Sequence, residues 1–330
     1  MSIKRLGQTA QATKTAFVFP GQGSQKVGML AELAEQFSVV KDTFTEASEA
    51  VGFDLWQIAQ SGEGLDQTEN TQPVLLTASI ALWRVWLELG GIAPKYLAGH
   101  SLGEYSALVA AEAMTLADAV KLVHLRGKLM QSAVPQGTGA MAAILGLADE
   151  KVIELCQKVN ASAAGQGSVE AANYNAQGQV VIAGSTALVQ QVMAEAKEQS
   201  GKAIALPVSV PSHCTLMKPA AEKFAEALEQ TAIELPHLPV IQNVNAEIAT
   251  DVAQLRQALT AQLYQSVQWT RTMQYLQDEG VQYVVECGPG TVLSNLAKRL
   301  PNIEKAFAID SKARMEDALN AVLVAEGKIA

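Results

Sequence analysis

Apolar and polar positions along this chain switch repeatedly between a period of two and a period of about 3.6. The short apolar run at 15–19 ends at Pro20-Gly21 and predicts a buried strand. Helical spacing follows over 29–50 and again over 74–89, where Gly90-Gly91 closes it. Residues 96–100 predict a second strand, and 102–113 a helix directly after it. Strands that alternate with helices predict a mostly parallel sheet covered on both faces. The same large unit resumes near the C-terminal end, with strands predicted at 240–245 and 283–286.

Between these parts the rhythm changes. Strands are predicted at 141–146, 169–174, 179–184 and 203–208, with helices at 151–159 and 187–197. The order β-α-β-β-α-β is that of a ferredoxin-like unit. The expected class is therefore α/β: a large domain over 15–137 and 208–330, interrupted by a smaller ferredoxin-like domain over 138–207. Residues 1–14 carry Lys4, Arg5 and Lys14 but no apolar run, so they read as a flexible N-terminal tail rather than a secretory signal.

Composition narrows the function. Of 330 residues, 49% are hydrophobic and 17% charged, enough apolar material for a large core. The net charge of −9 argues against a nucleic-acid partner, which would need a basic face. No stretch approaches the roughly 18 apolar residues of a membrane helix. Cys156, Cys214 and Cys287 are odd in number and widely spaced, which predicts neither a disulfide framework nor a zinc site. A reducing, cytoplasmic setting is expected.

The chemistry concentrates at Gly99-His100-Ser101-Leu102-Gly103, a G-x-S-x-G match between a predicted strand and a predicted helix. That setting is what a nucleophile elbow requires. The helix start offers free N–H groups to an oxyanion, with Leu102 as one donor. A serine needs a base, and there are only four histidines. His100 is the neighbour of Ser101 and should point away from it. His124 lies mid-helix, and His237 sits between prolines. His213, on a loop after a strand and after the serine in chain order, is the remaining candidate; position alone does not decide the matter. Cys214 beside it reads as packing. Asn173 and Asn175 either face a groove or form turns.

Five segments in order resemble a known family: Phe19-Pro20-Gly21-Gln22-Gly23-Ser24-Gln25, Gly99 to Glu104, Leu122 to Gly127, Pro211-Ser212-His213-Cys214, and Glu286-Cys287-Gly288-Pro289-Gly290. They are similar to the malonyl-CoA:acyl carrier protein transacylases of bacterial type II fatty acid synthesis, from about residue 16 to about 325. The resemblance implies an α/β-hydrolase-like large domain with a ferredoxin-like insert and the site in the groove between them. It implies that His213 is the base and that the Gln22 N–H is a second oxyanion donor. It also implies that the Gln268 backbone carbonyl orients His213, with no acidic third member. Arg126 would grip the malonyl carboxylate, which acetyl lacks, with two parallel hydrogen bonds. Coenzyme A thioester would be substrate, acyl carrier protein the acceptor, no cofactor or metal bound, and the chain a monomer. Lys218, Lys298 and Arg299 are candidates for a basic rim that meets the acidic carrier. A serine esterase or thioesterase, an acyltransferase that loads extender units in a polyketide pathway, and a non-catalytic scaffold are the rival readings.

Overall fold

The computed structural model describes residues 11–165 and 167–329. The strands are β1 (Thr15–Phe19), β2 (Tyr96–Gly99), β3 (Gly139–Leu145), β4 (Val169–Ala176), β5 (Gln179–Ser185), β6 (Lys202–Ala205), β7 (Val240–Ile241), β8 (Tyr283–Glu286) and β9 (Lys305–Ala308). They form two sheets. One is parallel throughout, in the order β7-β2-β1-β8-β9. The other is antiparallel, in the order β4-β5-β3-β6.

Every residue of β1 is buried, because both faces of the parallel sheet are covered. Phe17 and Phe19 join the core on one face, with Trp86 and Leu97. Ala16 and Val18 join the other, with Trp269 and Met273. This is the strand period of two written into two separate cores. The helix Thr68–Glu88 is buried almost all round, and its Trp83 and Trp86 meet Phe17 edge-on at 5.4 and 5.0 Å. The antiparallel sheet has its own core under the helices Asp149–Ser162 and Thr186–Glu198.

Four local expectations differ from the structure. The helical run at 29–50 is two helices, Ala31–Gln36 and Ser38–Val51, broken where Phe37 turns extended. The helix expected at 74 begins at Thr68 and carries Pro73 inside it. Pro73 has no N–H for the Glu69 carbonyl four residues back, and His124 Nδ1 donates to that carbonyl instead, at 2.8 Å. This gives His124 a structural role. The strand expected over 240–245 stops at Ile241, and β9 was not expected at all.

The tail expected over 1–14 lies outside the described residues up to position 10. Residues 11–14 are anchored: Gln11 bridges Ala93, Ala12 is buried, and Thr13 and Lys14 donate backbone N–H to the Glu326 carboxylate. Edge pairing and a carboxylate hold this segment, and neither can be read from its polar composition.

Candidate active site

β2 runs straight into the turn that carries Ser101, and the helix Gly103–Ala110 leaves from it. The three backbones touch. A Cβ on Gly99 would collide with the Gly103 backbone, and a Cβ on Gly103 would collide with the Phe19 carbonyl. Ser101 is held at φ +52°, a left-handed conformation that costs a side-chain-bearing residue about 1–2 kcal/mol. Asn243, beyond the end of β7, secures it. Its Oδ1 accepts from the Ser101 N–H at 2.7 Å, and its Nδ2 donates to the Gly99 carbonyl at 2.6 Å. Ser101→Gly is therefore expected to be more stable than Ser101→Ala by about 1 kcal/mol. Both variants lose the hydroxyl, so their difference in thermal unfolding isolates the backbone strain. Equal melting temperatures would remove strain from this description.

His213 also has a positive φ, +62°. Its N–H donates to the Leu263 carbonyl at 3.0 Å, and its ring lies 97% buried with Nε2 2.8 Å from Ser101 Oγ. Nδ1 donates to the Gln262 carbonyl at 2.7 Å. A carbonyl can only accept, so the proton sits on Nδ1 and the Nε2 lone pair faces the serine hydroxyl. Burial, and next the Arg126 charge, push the His213 imidazolium down to about pKa 3. The imidazole is neutral, as a general base must be.

The expected partner of His213, Gln268, is corrected by this geometry. Gln268 precedes the helix Trp269–Asp278, and its carbonyl accepts the first intrahelical bond, from Thr272 N, at 2.9 Å. Gln262 instead follows the helix Val252–Ala261. Carbonyls at a helix end lack intrahelical donors, so that of Gln262 is open to the imidazole.

Arg126 lies on the helix Leu116–Ser132, whose N-cap Thr115 accepts from Asp118 N. Gly127 lets this helix press against the backbone at Thr68 and Glu69, which brings Arg126 beside Gln72. Arg126 is only 1% exposed. Its Nη1 donates to Gln72 Oε1 at 2.9 Å. Its Nη2 donates to Gln262 Oε1 at 2.9 Å and to Ser101 Oγ at 3.3 Å. Its Nε–H has no partner, and no ion pair to it occurs among the described residues.

Ser101, His213, Arg126, Gln22 and Leu102 all line one cavity of about 110 Å³ between the two sheets, with Met141 and Asn173 from the antiparallel sheet on the far wall. The backbone N–H groups of Gln22 and Leu102 make no hydrogen bond among the described residues. His100 also borders the cavity, but its Nε2 meets Asn175 Oδ1 at 2.7 Å and its ring packs on Trp269. Cys214 donates its thiol to the Pro211 carbonyl, and burial pushes it up to about pKa 12, so it stays an unreactive thiol. A larger cavity of about 440 Å³, beside Trp83, Arg84 and Glu234, contains neither Ser101 nor His213.

The acyl transferase domain family matches residues 16–315. The chain belongs to the acyl transferase family. It is 51% identical over 310 residues to a protein of Escherichia coli K12 called malonyl CoA-acyl carrier protein transacylase, covering 93% of this chain and 99% of that one. The Bacillus subtilis protein of the same name is 44% identical, covering 93% and 96%. Among solved structures of the family, FabD from Acinetobacter baumannii is 88% identical with a TM-score of 0.94, covering 95% of this chain and 99% of that one. A malonyl-transacylase solved in complex with a holo type II polyketide acyl-carrier protein is 48% identical, with a TM-score of 0.90 over 93% and 99%. Gln262, Asn243, Gln72 and Glu104, whose carboxylate accepts from Gln262 Nε2 at 2.6 Å, are the residues that sequence reasoning missed. Glu104 alone had a signal, being the last residue of the elbow motif.

Proposed function

We propose that this chain transfers the malonyl group of malonyl-CoA to the phosphopantetheine thiol of acyl carrier protein, through malonyl-Ser101, for fatty acid synthesis. The observation that carries the reading is Arg126. A buried guanidinium stands 3.3 Å from the serine oxygen, with an unpartnered Nε–H and neutral amide partners rather than a carboxylate. A buried guanidinium with no direct ion pair has room for an anion, and a carboxylate on the acyl chain supplies one beside the nucleophile.

His213 Nε2 takes the hydroxyl proton as Ser101 Oγ bonds to the thioester carbonyl carbon. The N–H groups of Gln22 and Leu102 receive the oxyanion. The tetrahedral intermediate collapses, the C–S bond breaks, and His213 returns its proton to the coenzyme A sulfur. The carrier thiol then attacks, gives its proton to His213, and the serine leaves with it. Each step uses groups of this chain and the two thiol substrates; no cofactor takes part. The Gln262 carbonyl stabilises the imidazolium less than a carboxylate would, which suits a thiolate leaving group that needs little help.

Residues 138–207 are proposed to form a ferredoxin-like insert in an α/β-hydrolase-like domain spanning 15–137 and 208–330; the strand order β4-β5-β3-β6 with two covering helices supports it. A cytoplasmic setting fits three buried free cysteines and a thiol acceptor.

Incubation with malonyl-CoA alone followed by intact and peptide mass spectrometry tests the reading. A malonyl adduct on Ser101 that persists until carrier protein is added is expected. Free malonate released as fast as coenzyme A would mark a thioesterase.

A further inference from the structure

Glu104 takes no part in the steps above, yet it lies 99% buried directly behind them. Its Oε2 accepts from Gln262 Nε2 at 2.6 Å and from Asn243 N at 3.3 Å, and its Oε1 has no partner. Gln262 is the connector. Its carboxamide donates to Glu104 and to the Ser101 carbonyl, at 2.6 and 3.0 Å, and accepts from Arg126 Nη2 at 2.9 Å.

A carboxamide has two nearly isosteric ends, so the pocket must choose its orientation. Rotated by half a turn, Gln262 would set its NH2 against the guanidinium donors. Its oxygen would then face the Glu104 carboxylate and the Ser101 carbonyl. With Glu104 ionised, every one of these contacts would be donor to donor or acceptor to acceptor; burial pushes this carboxyl up to about pKa 7, while the bond from Gln262 and the Arg126 charge favour the ionised form. Glu104 is the side-chain acceptor that makes the observed orientation the favoured one. The guanidinium then keeps two amide oxygens, from Gln72 and Gln262, and its buried Nε–H stays without a partner.

We propose that Glu104 is a positioning residue for recognition of the acyl carboxylate: through Gln262 it sets where Arg126 presents its guanidinium, and so sets the preference for malonyl over acetyl thioesters. This rests on the transfer function proposed above. Glu104 does not line the cavity, and it meets Asn243 only at the backbone N–H, whereas the Asn243 side chain is what holds the serine's backbone N–H.

The test is Ser101 acylation kinetics with malonyl-CoA and acetyl-CoA in Glu104→Met and Glu104→Gln. In Glu104→Met the acceptor is gone, and KM for malonyl-CoA is expected to rise about tenfold or more, the loss expected for a hydrogen bond to a charged group. The acetyl-CoA constants should move by less than about threefold. In Glu104→Gln the new side-chain oxygen can accept from Gln262, and most of the malonyl preference should return. Equal losses on both thioesters, no change in Glu104→Met, or no rescue by glutamine would each overturn the proposal. If thermal unfolding shows that Glu104→Met does not fold, Glu104→Asp, which draws the acceptor back by one methylene, takes its place with the same expectations. Wild-type protein is the control. No malonylation of wild-type Ser101 would sink the transferase reading itself, whereas normal wild-type malonylation with unaltered selectivity in the variants sinks only this inference.

Discussion

Ser101→Ala is expected to lower malonyl transfer by about 10⁵-fold or more, with no adduct detected after exposure to malonyl-CoA. Among the described residues, the Ser101 hydroxyl is the one in the cavity that meets a neutral imidazole, and the nearby Cys214 is held as a buried thiol. The substitution should leave the turn in place. Asn243 binds the backbone of residue 101, not its side chain, and spans to the Gly99 carbonyl on the other side of the turn. Loss of activity with an unchanged circular dichroism spectrum is therefore expected. His213→Ala should cost nearly as much, and the double variant little more, because the two groups act as one unit. Continued transfer by a folded Ser101→Ala protein would end the covalent mechanism.

Arg126→Ala should cut the preference for malonyl-CoA over acetyl-CoA by about 10²-fold or more, since one partner of a buried charge pair is lost and the substrate carboxylate is left unpaired. It should also change the pH profile. In the free enzyme three causes disfavour the His213 imidazolium: burial first, the Arg126 cation second and His100 last. The wild-type kcat/KM for acetyl-CoA should therefore lack an acidic limb near the ordinary histidine value of about 6.5. Removing the cation makes the protonated ring easier to form, so His213 titrates at higher pH in the variant and the acidic limb moves up. A limb that stayed in place or moved down would contradict the electrostatic coupling. A bound malonyl carboxylate should act in the same direction in the wild type, because it offsets the Arg126 charge. The limb of kcat, which reports the complex, should then lie above that of kcat/KM. On this account the correct substrate assists its own base, and acetyl thioesters are disfavoured in turnover as well as in binding.

The elbow was legible because it is local. Two glycines, a serine, the preceding strand and the following helix lie within a few residues, and each acts on its neighbour through backbone sterics. The alternation in β1 was legible for a related reason: burial on both faces of a parallel sheet leaves a continuous apolar run. The break at Phe37 and the early start at Thr68 were not, since packing against neighbouring helices decides them. β9 was missed because its four residues carry little pattern of their own and are defined by pairing with β8.

The pairing of base and orienting carbonyl shows where reading along the chain stops. His213 and Gln262 are 49 residues apart, and Arg126 and Gln262 are 136 apart. No spacing rule reaches over such distances. Gln268 and Gln262 look alike in sequence, but one begins a helix and the other ends one, and that difference decides which carbonyl is free. From residue order alone one can find the nucleophile, the alternating α/β architecture, the four possible bases and an arginine with a use for a carboxylate. Only the folded molecule sets the His213 ring against Ser101 and the Gln262 carbonyl against that ring. It also decided that Asn243 holds the strained serine and that Arg126 faces inward rather than to solvent. Those choices depend on which backbone donors and acceptors remain unpaired once helices and sheets have taken theirs, and that balance is settled by the tertiary structure as a whole.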